Sequence, residues 1–260
     1  MTFTLYQIDA FADAVFSGNP AAVIPLDNWI PAELMQQIAL ENNLSETAFI
    51  VQTGDKNYEI RWFTPTTEVD LCGHATLASA HALFEHIGTV GNKIEFSSKS
   101  GTLKVEKRGE FIWLDFPSQP PRPVSMPKEL PEALGVIPIF TGYNTDLIVV
   151  VDSERTVQNL NPDFEILKRL QARGVIVTAK GNQEDFVSRF FAPAVGVPED
   201  PVTGSAHTVL IPYWSRKLDK KKLTARQISR RSGRLLCEDH GDRVLIGGRA
   251  VTYLEGTINV

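Results

Sequence analysis

The apolar positions along the chain predict strands and helices in an order that occurs twice. Residues 4–10 alternate apolar and polar side chains, the period of a half-buried strand, and Ala21 to Ile24 form a short apolar run that reads as a second strand. Pro31 opens a helix at its first position, where a missing N–H costs nothing, and Leu34, Met35 and Ile38 follow at core spacing. Strands are expected at Glu46–Val51 and Tyr58–Phe63. A helix is expected from near His74, and Leu77, Ala78, Leu83, Phe84 and Ile87 spread around it, as in a largely buried helix. Thr102–Glu106 and Phe111–Phe116 form a hairpin through Lys107-Arg108-Gly109-Glu110.

The second half repeats this order. Asn161-Pro162 opens a helix with Ile166, Leu167 and Leu170 on one face, and strands follow at Gly174–Thr178 and Phe186–Phe191. A helix starting near Ser205 carries Val209, Leu210, Ile211, Tyr213 and Trp214, with a kink expected at Pro212. Arg234–Glu238 and Arg243–Ile246 close through Asp239-His240-Gly241-Asp242. Side chains repeat too: Arg61-Trp62-Phe63-Thr64-Pro65 is echoed by Arg189-Phe190-Phe191-Ala192-Pro193, and Gly73-His74-Ala75-Thr76 by Gly204-Ser205-Ala206-His207. Ser100-Gly101 with Gly109 returns as Ser232-Gly233 with Gly241. Three echoes in order indicate a duplicated unit. The expected fold is α+β, with two pseudo-symmetric lobes, each a mostly antiparallel or mixed sheet wrapped around a central apolar helix. The prolines at 117, 120, 121 and 123 suggest a division into residues 1–118 and 119–260. A ligand would be expected in the cleft between the lobes.

Composition narrows the function. A formal charge of −5 argues against nucleic acid or anionic membrane as partner. The run Lys217, Lys220, Lys221, Lys222, broken by Asp219, reads as a solvated turn. No apolar stretch approaches a membrane span and no signal peptide is visible. Two cysteines, Cys72 and Cys237, fit a reducing cytoplasm. The histidines at 74, 81, 86, 207 and 240 lack metal-ligand spacing, and nucleotide fingerprints are absent, so no metal and no cofactor are expected.

Candidate chemistry lies where glycine-containing loops enter the two apolar helices, at Asp70-Leu71-Cys72-Gly73-His74 and Asp200-Pro201-Val202-Thr203-Gly204-Ser205. Helix starts present open N–H groups that suit a carboxylate, although each glycine could equally serve a tight turn. The proton carrier expected beside them is Glu46, in Asn42-Asn43-Leu44-Ser45-Glu46-Thr47-Ala48-Phe49, unless it is a solvated strand-end residue. Glu46 aligns with Arg173 in the second half, so the carboxylate has no twin and a one-base mechanism is expected. His74, held neutral by the helix start, could orient Glu46 or bind substrate. Asp200 is either a catalytic carboxylate or a turn and capping residue.

These segments, with Asp9-Ala10-Phe11, Gly18-Asn19-Pro20-Ala21-Ala22-Val23 and Glu199-Asp200-Pro201-Val202-Thr203-Gly204-Ser205-Ala206-His207, closely resemble the phenazine-biosynthesis PhzF-like isomerases, nearly from end to end. The resemblance implies a diaminopimelate-epimerase-like fold, usually a homodimer, and cofactor-free proton transfer on a small carboxylate-bearing metabolite. In the name-giving enzyme that substrate is a dihydro-hydroxyanthranilate. The resemblance places catalysis on Glu46, His74 and Asp200. It places substrate binding on Ser45 and Ser205, with backbone from Gly73 and Gly204. Related epimerases use two cysteines, one at each helix start. Here Thr203 stands opposite Cys72 in the repeat, and Cys237 falls in a distal strand. An amino-acid epimerase or racemase, or a non-catalytic small-molecule-binding protein, are the alternatives.

Overall fold

The computed structural model describes residues 1–260. The chain packs as two compact units, residues 1–115 with 247–260, and residues 116–246.

In the first unit, β1 (Thr2–Ala10) is antiparallel to β2 (Asn19–Leu26), and β2 is parallel to β3 (Glu46–Gln52) across α1 (Ala32–Asn42). β4 (Asn57–Phe63) returns antiparallel along β3 and carries the two-residue β5 (Glu68–Val69). After α2 (Gly73–Ala82), β6 (Lys93–Ser98) joins β4 in parallel, and β7 (Gly101–Arg108) and β8 (Phe111–Pro117) finish as antiparallel hairpins. α2 packs against β1, β2 and β3. Its buried face is rich in small residues, Ala75, Ala78, Ala80 and Ala82, which lets the strands approach closely. On the other side of the sheet Ile24, Phe49 and Phe63 bury against Met35 and Ile38 of α1.

The second unit holds β9 (Arg122–Pro123), α3 (Leu130–Leu134), β10 (Phe140–Tyr143), β11 (Leu147–Val150), α4 (Glu154–Gln158) and α5 (Phe164–Leu167). Then come β12 (Val175–Lys180), β13 (Phe186–Ala192), β14 (Val197–Asp200), α6 (Gly204–Leu218), β15 (Lys222–Gln227), β16 (Gly233–Asp239) and β17 (Arg243–Gly248). β10 is antiparallel to β11, β11 parallel to β12, and β12 antiparallel to β13. β13 takes β14 antiparallel and β15 parallel, and β15 is antiparallel to β16. This is the pairing order of β1 to β7, so the duplication read from the side chains is a duplication of topology.

The repeat extends to partly buried ion pairs. Arg61 of β4 grips Glu68 of β5 with two hydrogen bonds of 2.8 and 2.9 Å, and Arg189 of β13 grips Glu199 of β14 at 2.7 and 2.9 Å. Each guanidinium also lies over a phenylalanine two residues on, Phe63 and Phe191. The Arg61 hydrogen bond, outweighing burial, holds the Glu68 carboxyl down at about 2.

Several boundaries differ from the sequence expectation. β18 (Ala250–Asn259) pairs antiparallel along the whole of β1, so the carboxy-terminal residues belong with the first unit, not with residues 119–246. Ile87 is 43 % exposed because α2 widens at Leu83–Ile87 into a π turn, which rotates the following side chains off the core face. Pro31 caps α1 from just outside, its carbonyl accepting the Leu34 and Met35 N–H groups. The helix expected from Asn161-Pro162 is a single turn capped by Asp163, whose carboxylate accepts from the Glu165 and Ile166 N–H groups. α6 runs through Pro212, and the Thr208 carbonyl that proline leaves without a helical donor accepts the Gln119 N–H at 3.0 Å.

Candidate active site

The segment Asn42-Asn43-Leu44-Ser45-Glu46-Thr47 ends α1 and starts β3, and most of its polar side chains have a task. Asn43 adopts the left-handed conformation (φ 48°) that closes the helix, its N–H returning to the Ala39 carbonyl. Asn42 Nδ2 donates to Thr47 Oγ1 across the turn at 3.0 Å. Ser45 Oγ donates to Asn19 Oδ1 at 3.2 Å. Glu46 opens β3 beside Ala21 of β2, its side chain 18 % exposed. Gly18 sets Asn19 in place: its φ is 66°, and a Cβ there would lie 2.2 Å from the Ala10 carbonyl oxygen.

These side chains converge on His74, the second residue of α2, which is buried. Asn19 Nδ2 lies 3.2 Å from His74 Nδ1, and Glu46 Oε2 lies 3.0 Å from His74 Nε2. With the Asn19 oxygen taken by Ser45, its amide donates to Nδ1, so the hydrogen of the neutral ring sits on Nε2, facing the carboxylate. Glu46 Oε2 and His74 Nε2 are both buried and have no other partner than each other. Burial lowers the His74 pKa, while the Glu46 carboxylate and hydrogen bonding to the Cys72 sulfur raise it, and the net direction is upward. The helix start is thus opposed by the neighbouring charge, and the sequence expectation of a ring kept neutral by the helix alone is incomplete.

Cys72 is the residue before α2, its sulfur 3.5 Å from His74 Nδ1. Burial first, then the Glu46 charge, push its thiol up, so it is no thiolate near neutrality. Glu46, Cys72 and His74 offer three donor atoms within 4.8 Å of one another. The sulfur lies by Nδ1 of the ring and the carboxylate by Nε2, so the imidazole stands between the two.

Strand register corrects one alignment. Thr47 pairs with Phe63 and Val175 with Phe191, so Glu46 corresponds to Gly174, and Arg173 to Ser45. A Cβ on Gly174 would lie 2.2 Å from the Phe190 ring. The carboxylate therefore has no twin: the equivalent residue is a glycine packed against the Phe190 ring.

In the second unit Gly204 and Ser205 start α6, and Thr203 precedes it where Cys72 precedes α2. The Asp200 carboxylate accepts the Thr203 hydroxyl, a contact within the turn before α6, whose start has no side-chain cap. Gln227, fully buried, fixes this loop by accepting the Thr203 N–H at 2.9 Å and donating to the Asp200 carbonyl at 2.7 Å. Ser205 Oγ accepts from Arg173 Nη2 at 3.1 Å. His207 Nδ1–H donates to the Thr203 carbonyl at 2.8 Å; burial, against that carbonyl, lowers its pKa to about 4, so the ring is neutral. Glu46, His74 and Ser45 are thus brought together within the first unit, while in the second Asp200 ends β14 and Gly204 and Ser205 start α6. Sequence reasoning gave Asn19, Arg173 and Gln227 no role in the site. The Gly18-Asn19-Pro20 turn was the available signal for Asn19.

A family model described as phenazine biosynthesis-like protein matches residues 8–256. The chain belongs to that family. It is 54 % identical over 261 residues, all of both chains, to an uncharacterized isomerase of Pseudomonas aeruginosa. A solved PhzF-family structure from Enterococcus faecalis, 48 % identical, superposes with a TM-score of 0.98 over all of both chains. A hydroxyproline epimerase from Agrobacterium vitis is 13 % identical with a TM-score of 0.65, over 99 % of this chain and 92 % of that one, and shows the epimerase-like fold alone. Family membership places the chain among isomerases. In this PhzF-family chain no helix is long and apolar enough to cross a membrane.

Proposed function

We propose that this PhzF-family isomerase moves a proton on a small carboxylate-bearing metabolite, with Glu46 as general acid and base. The observation that carries the reading is the Glu46 carboxylate 3.0 Å from Nε2 of a buried histidine whose other nitrogen is held by Asn19. His74 can donate to the carboxylate or take part of its proton, so the pair gives up and regains a proton at little reorganisation cost. Gly174 in the equivalent place supports one base over two. The raised Cys72 thiol, with Thr203 in the matching position, counts against a two-thiol racemisation. Gly73, Gly204, Ser45 and Ser205 are assigned to substrate binding, and Asp200 to its support, on the family resemblance. No cofactor takes part in this scheme.

The test is untargeted. Metabolite extract is incubated with the protein, and carboxylate ions are followed by chromatography with mass detection. Wild-type protein is expected to move one such ion to a new retention time at unchanged mass. Glu46→Gln should slow the conversion by roughly 10²–10⁴-fold, the usual worth of a positioned general base. An equal conversion by both proteins would rule the role out.

A further inference from the structure

We infer that Arg173 is a carboxylate-recognising residue of the second unit, and that Asp146 is the residue that positions it. Ser45–Glu46 at the entry to β3 correspond to Arg173–Gly174 leading into β12, and His74 of α2 to Ser205 of α6, each the second residue of its helix. In the first unit the strand start touches that helix residue through Glu46 and His74. In the second the same junction is made by Arg173 Nη2 and Ser205 Oγ, 3.1 Å apart. The duplicated frame thus presents an anionic junction once and a cationic one once.

The guanidinium is also mounted as a presented group. Asp146, its side chain fully buried, holds Nε at 3.0 Å and Nη2 at 2.6 Å, and one face lies over the Phe190 ring, 5.7 Å from its centre. The Nη1 edge has no protein partner, and the Arg173 side chain is 44 % exposed. Burial, working against the Arg173 hydrogen bonds, raises the Asp146 pKa, so the carboxylate depends on its arginine. A buried aspartate that fixes two of the three nitrogens leaves the third, with the Ser205 hydroxyl, as a planar donor edge of the kind that carboxylates accept. Arg173 lacks the freedom of a surface arginine, so little ordering is needed on binding. The inference rests on the proton-transfer reading only for whose carboxylate is held; the recognition chemistry stands without it.

Benzoate serves as the probe and benzamide as its uncharged isostere, each titrated by chemical-shift change on isotope-labelled protein. Wild-type protein should bind benzoate at least ten-fold more tightly than benzamide. Arg173→Met combined with Asp146→Leu, which leaves no unpaired buried charge, should erase that preference. Asp146→Asn, which keeps the guanidinium but loosens it, should reduce the preference in part, a change that general loss of stability would not produce. Thermal unfolding confirms that each variant is folded. Glu46→Gln should leave the preference intact; if it does so while metabolite turnover also persists, the proton-carrier reading fails and the present inference survives. Absence of a benzoate preference in wild-type protein, or its persistence in the double variant, would overturn the inference.

Discussion

The two units share a pairing order and helix-start design, yet the junction of strand and helix carries opposite chemistry in each. Glu46 meets His74 in the first, and Arg173 meets Ser205 in the second. Shared positions are satisfied by different means. The carbonyl of the residue before α2 accepts the Thr76 hydroxyl, and the carbonyl before α6 accepts the His207 ring. What the repeats keep is backbone geometry, and what they vary is the side chain that meets it. The two helix starts form a repeated frame, and the side chains that meet it differ in charge.

This comparison can be broken at graded cost. The largest effect is expected from His74→Leu, which removes the polar partner of Glu46 while keeping bulk; turnover should fall by about 10²-fold, the lower end of a general acid–base contribution, as read by conversion of the metabolite ion. Next is Gly174→Ala. The Cβ would strike the Phe190 ring, so the variant should lose about 1–3 kcal/mol in denaturant unfolding. An unchanged midpoint would mean that sterics do not keep the second unit free of a twin carboxylate.

A smaller effect separates the paired arginines. Glu68→Gln should cost about 1–2 kcal/mol at neutral pH, an intermediate value for a hydrogen-bonded, partly buried ion pair. The sign with pH follows from a pKa held down near 2 in the folded state. The contribution of Glu68 is fully present above the unfolded value of about 4.3, and is lost as pH falls toward 2. Wild type and Glu68→Gln should therefore converge in stability on acidification. The smallest change is expected from Cys72→Ala, whose thiol stays protonated near neutrality; turnover should change by less than about three-fold, against the collapse a thiolate base would cause.

Much of this was legible in the sequence because it depends on period and spacing. The strands at Glu46–Gln52 and Val175–Lys180, and the helix starts at Gly73 and Gly204, follow from apolar runs and glycine placement. Glu46 stood out because it is the single carboxylate between polar turn residues and an apolar strand. The parts that were not legible depend on tertiary register. The ladder shows Gly174, not Arg173, opposite Glu46, because one residue of loop length cannot be assigned from side-chain echoes. The Arg173–Asp146 pair joins residues 27 positions apart, and Asn19 reaches His74 across 55, contacts with no local signature. The π turn that exposes Ile87 lies inside an unbroken apolar pattern, and β18 belongs with β1 through pairing of opposite chain ends.

The most direct trial of a single carboxyl carrier is the mass of the isomerised product formed in deuterium oxide. One group that removes a proton and returns it exchanges with solvent only part of the time, so wild-type product should be a mixture carrying no deuterium or one. Glu46→Gln should yield almost none of either. Product in which two positions are labelled, or labelling that persists in the Gln variant, would contradict the account.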